Sequence, residues 1–271
     1  MADVAGVLAD LTAEGDELDA LVAGRPESEW ARPTPAAGWT IAHQIGHLAW
    51  TDDIAAVAAS EPDRFRAELA KVLNAWEGYV DREATARAQQ PVAALIAGWR
   101  DSRAALTTAL QQVPGGEKMP WFGPPMSATS MATARLMETW AHGQDVADAL
   151  GVERAATDRL RHVAHIGVRT RDFAYTVHGQ VPPGEPLRIE LVAPSGELWA
   201  WGPQDAAQQV TGPALDFCLL VTQRRHRDDL AVTAVGPDAD AWLDIAQAFA
   251  GPPGEGRRPV GAETRATPGA P

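Results

Sequence analysis

The stretch Arg135-Leu-Met-Glu138-Thr-Trp-Ala-His142-Gly-Gln-Asp145 constrains the fold of this chain more than any other. In a helix, Glu138 and His142 stand one turn apart on one face. Arg135 lies three residues before the first and Asp145 three after the second, so all four fall along one stripe. Leu136, Met137, Trp140 and Ala141 make most of the remaining surface apolar. A surface helix sets a polar side against an apolar side. A helix that is apolar nearly all round, with one narrow ionisable line, belongs inside a bundle with that line facing something specific. Buried carboxylates and imidazoles are costly unless paired or bound to a metal. Glu138-xxx-His142 therefore reads first as two metal ligands, and an i,i+4 ion pair joined to Arg135 is the plain alternative.

The chain before this stretch supplies the other helices. Val4, Val7, Leu8, Leu11, Leu18, Leu21 and Val22 recur at helical spacing until Gly24 and Pro26 stop them. After the Pro-rich connection of residues 32–38, Thr40 is the N-cap of a helix from Ile41 to about Ser60, with His43, His47 and Trp50 on one side. Residues 62–88 and 91–112 read as two further helices, Pro91 opening the second. A loop leads to Ser127, the cap of the Glu138 helix, which runs to Leu150 with Gly151 as its stop. Long amphipathic helices and short connections predict an antiparallel bundle over residues 1–152.

The second half changes period. Residues 157–178 are still helical, but Leu187–Val192 alternates in the strand manner, and Ser195-Gly196 turns it into Leu198–Gly202 as a hairpin. A short strand at Gln209–Gly212, a helix from Pro213 to Arg225, a strand at Leu230–Gly236 and a helix from Asp238 to Ala250 follow. The expectation is an α+β protein with a second domain at 153–251 and a disordered tail at 252–271, where Pro, Gly and charged residues dominate.

A net charge of −13 disfavours DNA, RNA and anionic membranes as partners. The lone Cys218 excludes an intrachain disulfide and a Cys-based zinc cluster, and its apolar helix makes it a small buried hydrophobe. No basic leader followed by an apolar stretch opens the chain, and no run is apolar and long enough to span a bilayer. A soluble cytoplasmic protein is expected. Nothing in the sequence sets its oligomeric state.

Catalytic zinc commonly takes three protein ligands and keeps one position open. Glu138 and His142 supply two, and His43 or His47, themselves one turn apart, is the source of a third. Gly38-Trp39-Thr40, then His47-Leu48-Ala49, then the Glu138–His142 stretch together resemble the DinB-like metalloprotein superfamily, and within it the mycothiol-dependent branch that includes maleylpyruvate isomerase. That resemblance implies a four-helix bundle with His47, Glu138 and His142 on a divalent metal, usually zinc. It implies a sterol-carrier-like α+β unit behind the bundle. The run Thr211-Gly-Pro-Ala-Leu-Asp-Phe-Cys-Leu-Leu-Val-Thr-Gln-Arg224-Arg225 matches the place where the family sets a substrate-binding arginine at a helix end, so Arg224, or else Arg225, is the catalytic candidate. The cluster Gln223–Arg227 is denser than one such arginine requires.

The implied chemistry needs no protein cysteine. A thiol bound at a two-His, one-Glu cation loses its proton and becomes a nucleophile for an electrophilic carbon. Addition and transfer gives an S-conjugate; addition, rotation and elimination gives a cis–trans isomerisation. Arg135 and Asp145 are expected to orient the ligands by hydrogen bonds, with His43 at the mouth of the cofactor site. Arg224 would hold a carboxylate. The leading expectation is a zinc-dependent transferase or isomerase acting on a small electrophile with mycothiol as thiol. The rivals are hydrolysis or hydration by a zinc-bound water, and a small-molecule binding protein whose metal is structural.

Overall fold

The computed structural model describes residues 3–72, 77–254 and 256–261. The chain divides into two compact units, Met1–Ala155 and Ala156–Pro271, and together they make an α+β protein in which the helical unit comes first. In the first unit, α1 (Val4–Val22), α2 (Glu27–Trp30), α3 (Ile41–Ser60), α4 (Pro62–Val72), α5 (Tyr79–Ala88), α6 (Val92–Gln112) and α7 (Ala128–Leu150) follow in order. The long helices α1, α3, α6 and α7 pack on one another as a bundle, with α4 and α5 added against α3. Their starts are capped as the side chains predict. Asp3 accepts from the Gly6 N–H, Ser127 from the Ser130 N–H, and Thr40 with His43 forms a reciprocal capping box.

Residues 62–88, expected as one helix, contain two. Gly78 sits at φ 66, a left-handed conformation that no residue adopts inside an α-helix, and it caps the start of α5. Residues 73–76 of that stretch lie outside the described residues. The bundle core joins Leu18, Val22, Trp30, Ile41, Ile45, Leu48, Leu95, Trp99 and Val146. Gly46 of α3 lets α5 approach closely, since a Cβ there would meet the Ala84 carbonyl oxygen at 2.9 Å.

The second unit opens with α8 (Leu160–Arg169) and α9 (Arg171–Val177). Strands β1 (Leu187–Val192), β2 (Leu198–Trp201), β3 (Gln208–Pro213) and β4 (Thr233–Val235) form a mixed sheet in the order β2-β1-β3-β4. β1 and β2 make the expected antiparallel hairpin, with Leu191 opposite Trp199. β3 then crosses to pair parallel with β1, a pairing that alternation along single strands does not reveal. Two helices end earlier than expected. α10 (Ala214–Val221) stops before Arg225, and α11 (Pro237–Ile245) before Ala250. Beyond Gly251 the described residues include Val260, whose N–H donates to the Asp229 carboxylate at 3.0 Å; residues 255 and 262–271 of the expected tail lie outside the described residues.

One interaction inside the bundle is energetically exposed to test. Arg135 Nε on α7 donates to Asp52 Oδ1 on α3 at 2.9 Å, and both side chains are only 3% exposed. Burial pushes the Asp52 carboxyl up, and the Arg135 guanidinium pulls it back only in part. A buried charge left without its partner costs about 3–5 kcal/mol, whereas replacing both by apolar groups is often neutral. Arg135→Met or Asp52→Leu alone is therefore expected to lower unfolding free energy by about 3 kcal/mol or more. The double variant is expected to lose much less than the sum, and urea denaturation of all three measures it.

Candidate metal centre

Helices α3 and α7 run side by side in opposite directions, and they meet through a ladder of polar pairs. Gln44 faces His142, His47 faces Glu138, and Asp52 faces Arg135. As the number rises on α3 it falls on α7, which is the register an antiparallel pair must have. The sequence neighbours of these side chains, Leu48, Ala49, Leu136 and Ala141, are buried in the bundle, while Glu138 and His142 stay partly exposed.

At the middle rung, Glu138 Oε2 stands 3.0 Å from His142 Nε2 and 3.5 Å from His47 Nε2. One ligand atom from each of His47, Glu138 and His142 lies within 4.8 Å of the others. Burial by itself would raise the Glu138 carboxyl, but the hydrogen bonds and charges of His142 and His47 hold it well below the usual carboxylate range. A tetrahedral zinc with ligands at about 2.1 Å separates neighbouring ligand atoms by about 3.4 Å. Two imidazole nitrogens and a carboxylate oxygen at the observed spacings fit such an ion, and the donor types suit a borderline divalent cation.

The surroundings of this rung are aromatic. The Trp39 ring lies 5.9 Å from His142, nearly parallel to it, and 5.3 Å from His47. Trp50 lies 5.9 Å from His47 and meets Tyr79 edge-on. Phe122, brought in by the loop before α7, packs against Trp50, and Trp121 stacks on Phe65. The Trp39 indole N–H donates to Asp81 at 2.9 Å, which anchors the ring at the start of α3. A separate cavity of about 470 Å³ opens between α1 and α6, lined by Asp16, Arg100, Arg103 and Thr139 among others; it does not include the His–Glu cluster.

The remaining candidates fall elsewhere. His43 Nδ1 is turned to Thr40, 2.8 Å from its hydroxyl, and closes the start of α3. Burial lowers its imidazole, and Asp81 opposes that. Arg135, expected to orient the ligands directly, donates to Asp52 one rung below them. Asp145 is fully buried in the bundle. Arg224 and Arg225 belong to the second unit, just past the end of α10. Gln223 at φ 58 turns the chain there, its N–H donating to the Leu220 carbonyl while the Arg224 N–H donates to that of Leu219, which is the Schellman pattern with a residue other than glycine. Arg224 Nη1 donates to the Thr222 carbonyl at 2.7 Å and Arg225 Nη1 to that of Arg224. The dense charge after them resolves into local ties, Arg227 to Asp240 and Asp244, and His226 to the Asp228 N–H. Cys218 is buried, and burial pushes its thiol well above the ordinary range. Neither Gln44 nor Asp52 stands out in the sequence. Their only signal was a polar side chain on the apolar face of a helix, at Gln44 three residues before His47 and at Asp52 five after it.

Comparison with known proteins agrees with this architecture. Residues 183–235 match a family described as wyosine base formation. Two Mycobacterium tuberculosis proteins of uncharacterised function, MT0041 from strain CDC 1551 / Oshkosh and Rv0036c from strain ATCC 25618 / H37Rv, are each 60% identical over 257 residues, covering 95% of this chain and all of theirs. Crystal structures of the mycothiol-dependent maleylpyruvate isomerase and of a histidine-to-alanine variant of it superpose with TM-scores of 0.55 and 0.57 at 18% identity, covering 88% of this chain and 96% of theirs. They share its fold. Residues 11–147, about half of the chain, match the family of mycothiol maleylpyruvate isomerase N-terminal domains, and the chain belongs to that family.

Proposed function

We propose that this protein is a metal-dependent, thiol-using enzyme, an isomerase or S-transferase acting on a small electrophile. Zinc is the metal and mycothiol the thiol in this reading. The observation that carries it is the cluster of His47, Glu138 and His142, three ligand atoms within 4.8 Å of one another in a bundle of this family. The family and the fold of the mycothiol-dependent maleylpyruvate isomerase support the thiol. With two neutral imidazoles and one carboxylate, a divalent ion keeps a net charge near +1, and when bound it stabilises the thiolate form of an incoming thiol.

The chain's own groups do the rest. The hydrogen bonds and charges of His142 and His47 hold the Glu138 carboxyl well below the usual carboxylate range, which favours its carboxylate form as a ligand. Trp39 packs against both imidazoles and Trp50 against that of His47, and apolar rings beside a polar centre lower its local dielectric, which strengthens its charge interactions. The electrophile is expected to lie against these rings and to need no protein nucleophile. Arg224, with Arg225 as the second choice, is the proposed guanidinium for a carboxylate of substrate or thiol, on the likeness of the Thr211–Arg225 run alone. Asp145 is the proposed support behind the ligand helix.

Purified protein is expected to hold about one zinc per chain, and chelation is expected to abolish thiol conjugation or isomerisation that zinc then restores. His47→Ala is expected to lose both metal and activity. Stoichiometric apoprotein with full activity would sink the proposal, and turnover of an electrophile without any low-molecular-weight thiol would move the reading to hydrolysis. Cys218→Ala is expected to leave activity within about 2-fold, and native protein to resist thiol-directed alkylation until unfolded, because a buried thiol with a raised pKa is inert.

A further inference from the structure

The top rung of the polar ladder has a fixed direction. Gln44 is fully buried, and its two amide ends meet different partners. Nε2 donates to Thr34 Oγ1 at 2.8 Å, and Oε1 lies 2.5 Å from His142 Nδ1. Amide orientation is ambiguous when only one end is considered. Here the third group removes the ambiguity. Thr34 Oγ1–H donates to the Trp39 carbonyl at 2.9 Å, and a carbonyl can only accept. Thr34 has therefore spent its proton, so its oxygen accepts from Gln44. Gln44 must present Nε2 to Thr34 and Oε1 to His142.

His142 then has one role at each nitrogen. Oε1 only accepts, so Nδ1 carries a proton and donates to it. With Nδ1 committed to Gln44, Nε2 is the atom that faces Glu138 Oε2, at 3.0 Å. Two acceptors at that separation require a cation or a proton between them. Reversing the amide would strip the Trp39 carbonyl of the Thr34 hydroxyl and would put the imidazole proton where the ligands converge. The strap that holds Thr34 is itself closed: Thr34 N–H donates to the Trp39 carbonyl at 2.8 Å, and Ile41 N–H donates to the Arg32 carbonyl at 3.2 Å. The relay thus starts from a backbone carbonyl and ends at the Nδ1 of a ligand imidazole.

We propose that Gln44, locked in one orientation by Thr34, fixes His142 with its proton on Nδ1 and reserves Nε2 for the divalent cation, which makes Gln44 and Thr34 positioning residues of the site. The inference rests on the metal reading above. Such partners behind a ligand imidazole typically account for about 10–100-fold in metal affinity.

The test uses full-length protein loaded with zinc, with affinity measured by competition against a chromogenic chelator. Gln44→Leu is expected to bind zinc about 10–100-fold more weakly. Gln44→Glu, which keeps an acceptor at Nδ1, is expected to stay within about 5-fold of the parent. Thr34→Val, which frees the amide to reverse, is expected to fall between them. In ¹⁵N-edited spectra of the zinc-loaded parent, an Nδ1–H of His142 protected from solvent exchange is expected, and it is expected to lose that protection in Gln44→Leu. Circular dichroism melting separates loss of fold from loss of affinity, and rescue by Gln44→Glu is a result that a purely structural role does not give. Parent-like zinc affinity and Nδ1–H protection in Gln44→Leu would overturn this inference while leaving the metal reading intact. A parent protein that binds no zinc would overturn the metal reading and this inference with it.

Discussion

The structure depends on one costly act, the partial burial of a carboxylate between two imidazoles in an apolar bundle. Glu138 is tolerable only because His142 and His47 face it from its own helix and from α3. That requirement fixes the register of α3 against α7. The rungs above and below obey the same register, with an amide on an imidazole at Gln44–His142 and a guanidinium on a carboxylate at Asp52–Arg135. A slip of α3 by one turn would orphan groups at all three levels. Apolar packing holds the helices together, and the ladder decides which of their possible registers is occupied.

The aromatic groups serve the same rung from outside. Trp39 comes from the strap before α3, Trp50 from α3 itself, Tyr79 from α5, and Phe122 from the loop before α7. Trp39 and Trp50 touch the imidazoles, and Tyr79 and Phe122 back Trp50. Gly46 allows the approach of α5 to α3 that delivers Tyr79, and the capping box of Thr40 and His43 sets the start of α3 next to Trp39. His43, which spacing alone offers as a ligand, is used for this local task.

Helix positions were legible because period and caps are local properties. Ser127, Thr40 and Gly151 stand at the ends where their side chains or lack of one place them. The failures were also local in origin but non-local in cause. Gly78 splits a stretch whose composition is helical throughout, and Gln223 ends α10 early by adopting a conformation its type rarely takes. The crossover that makes β3 parallel to β1 depends on strands separated in the chain, and no alternation pattern records it.

At the site the division is sharper. The sequence by itself determined that an ionisable line runs along an apolar helix, that two of its members are one turn apart, and that an imidazole on an earlier helix could join them. Those are consequences of helical period and of the cost of burying charge. Only the tertiary structure decided which partner each group takes. Arg135 turns to Asp52 instead of to the ligands, because Asp52 is the carboxylate at its level on the facing helix. Gln44 reaches His142 because the antiparallel register brings residues 44 and 142 to one height. Spacing along one helix gives the order of side chains on its face, whereas the height of one helix against another is set by packing, and hydrogen bonds across α3 and α7 follow that height.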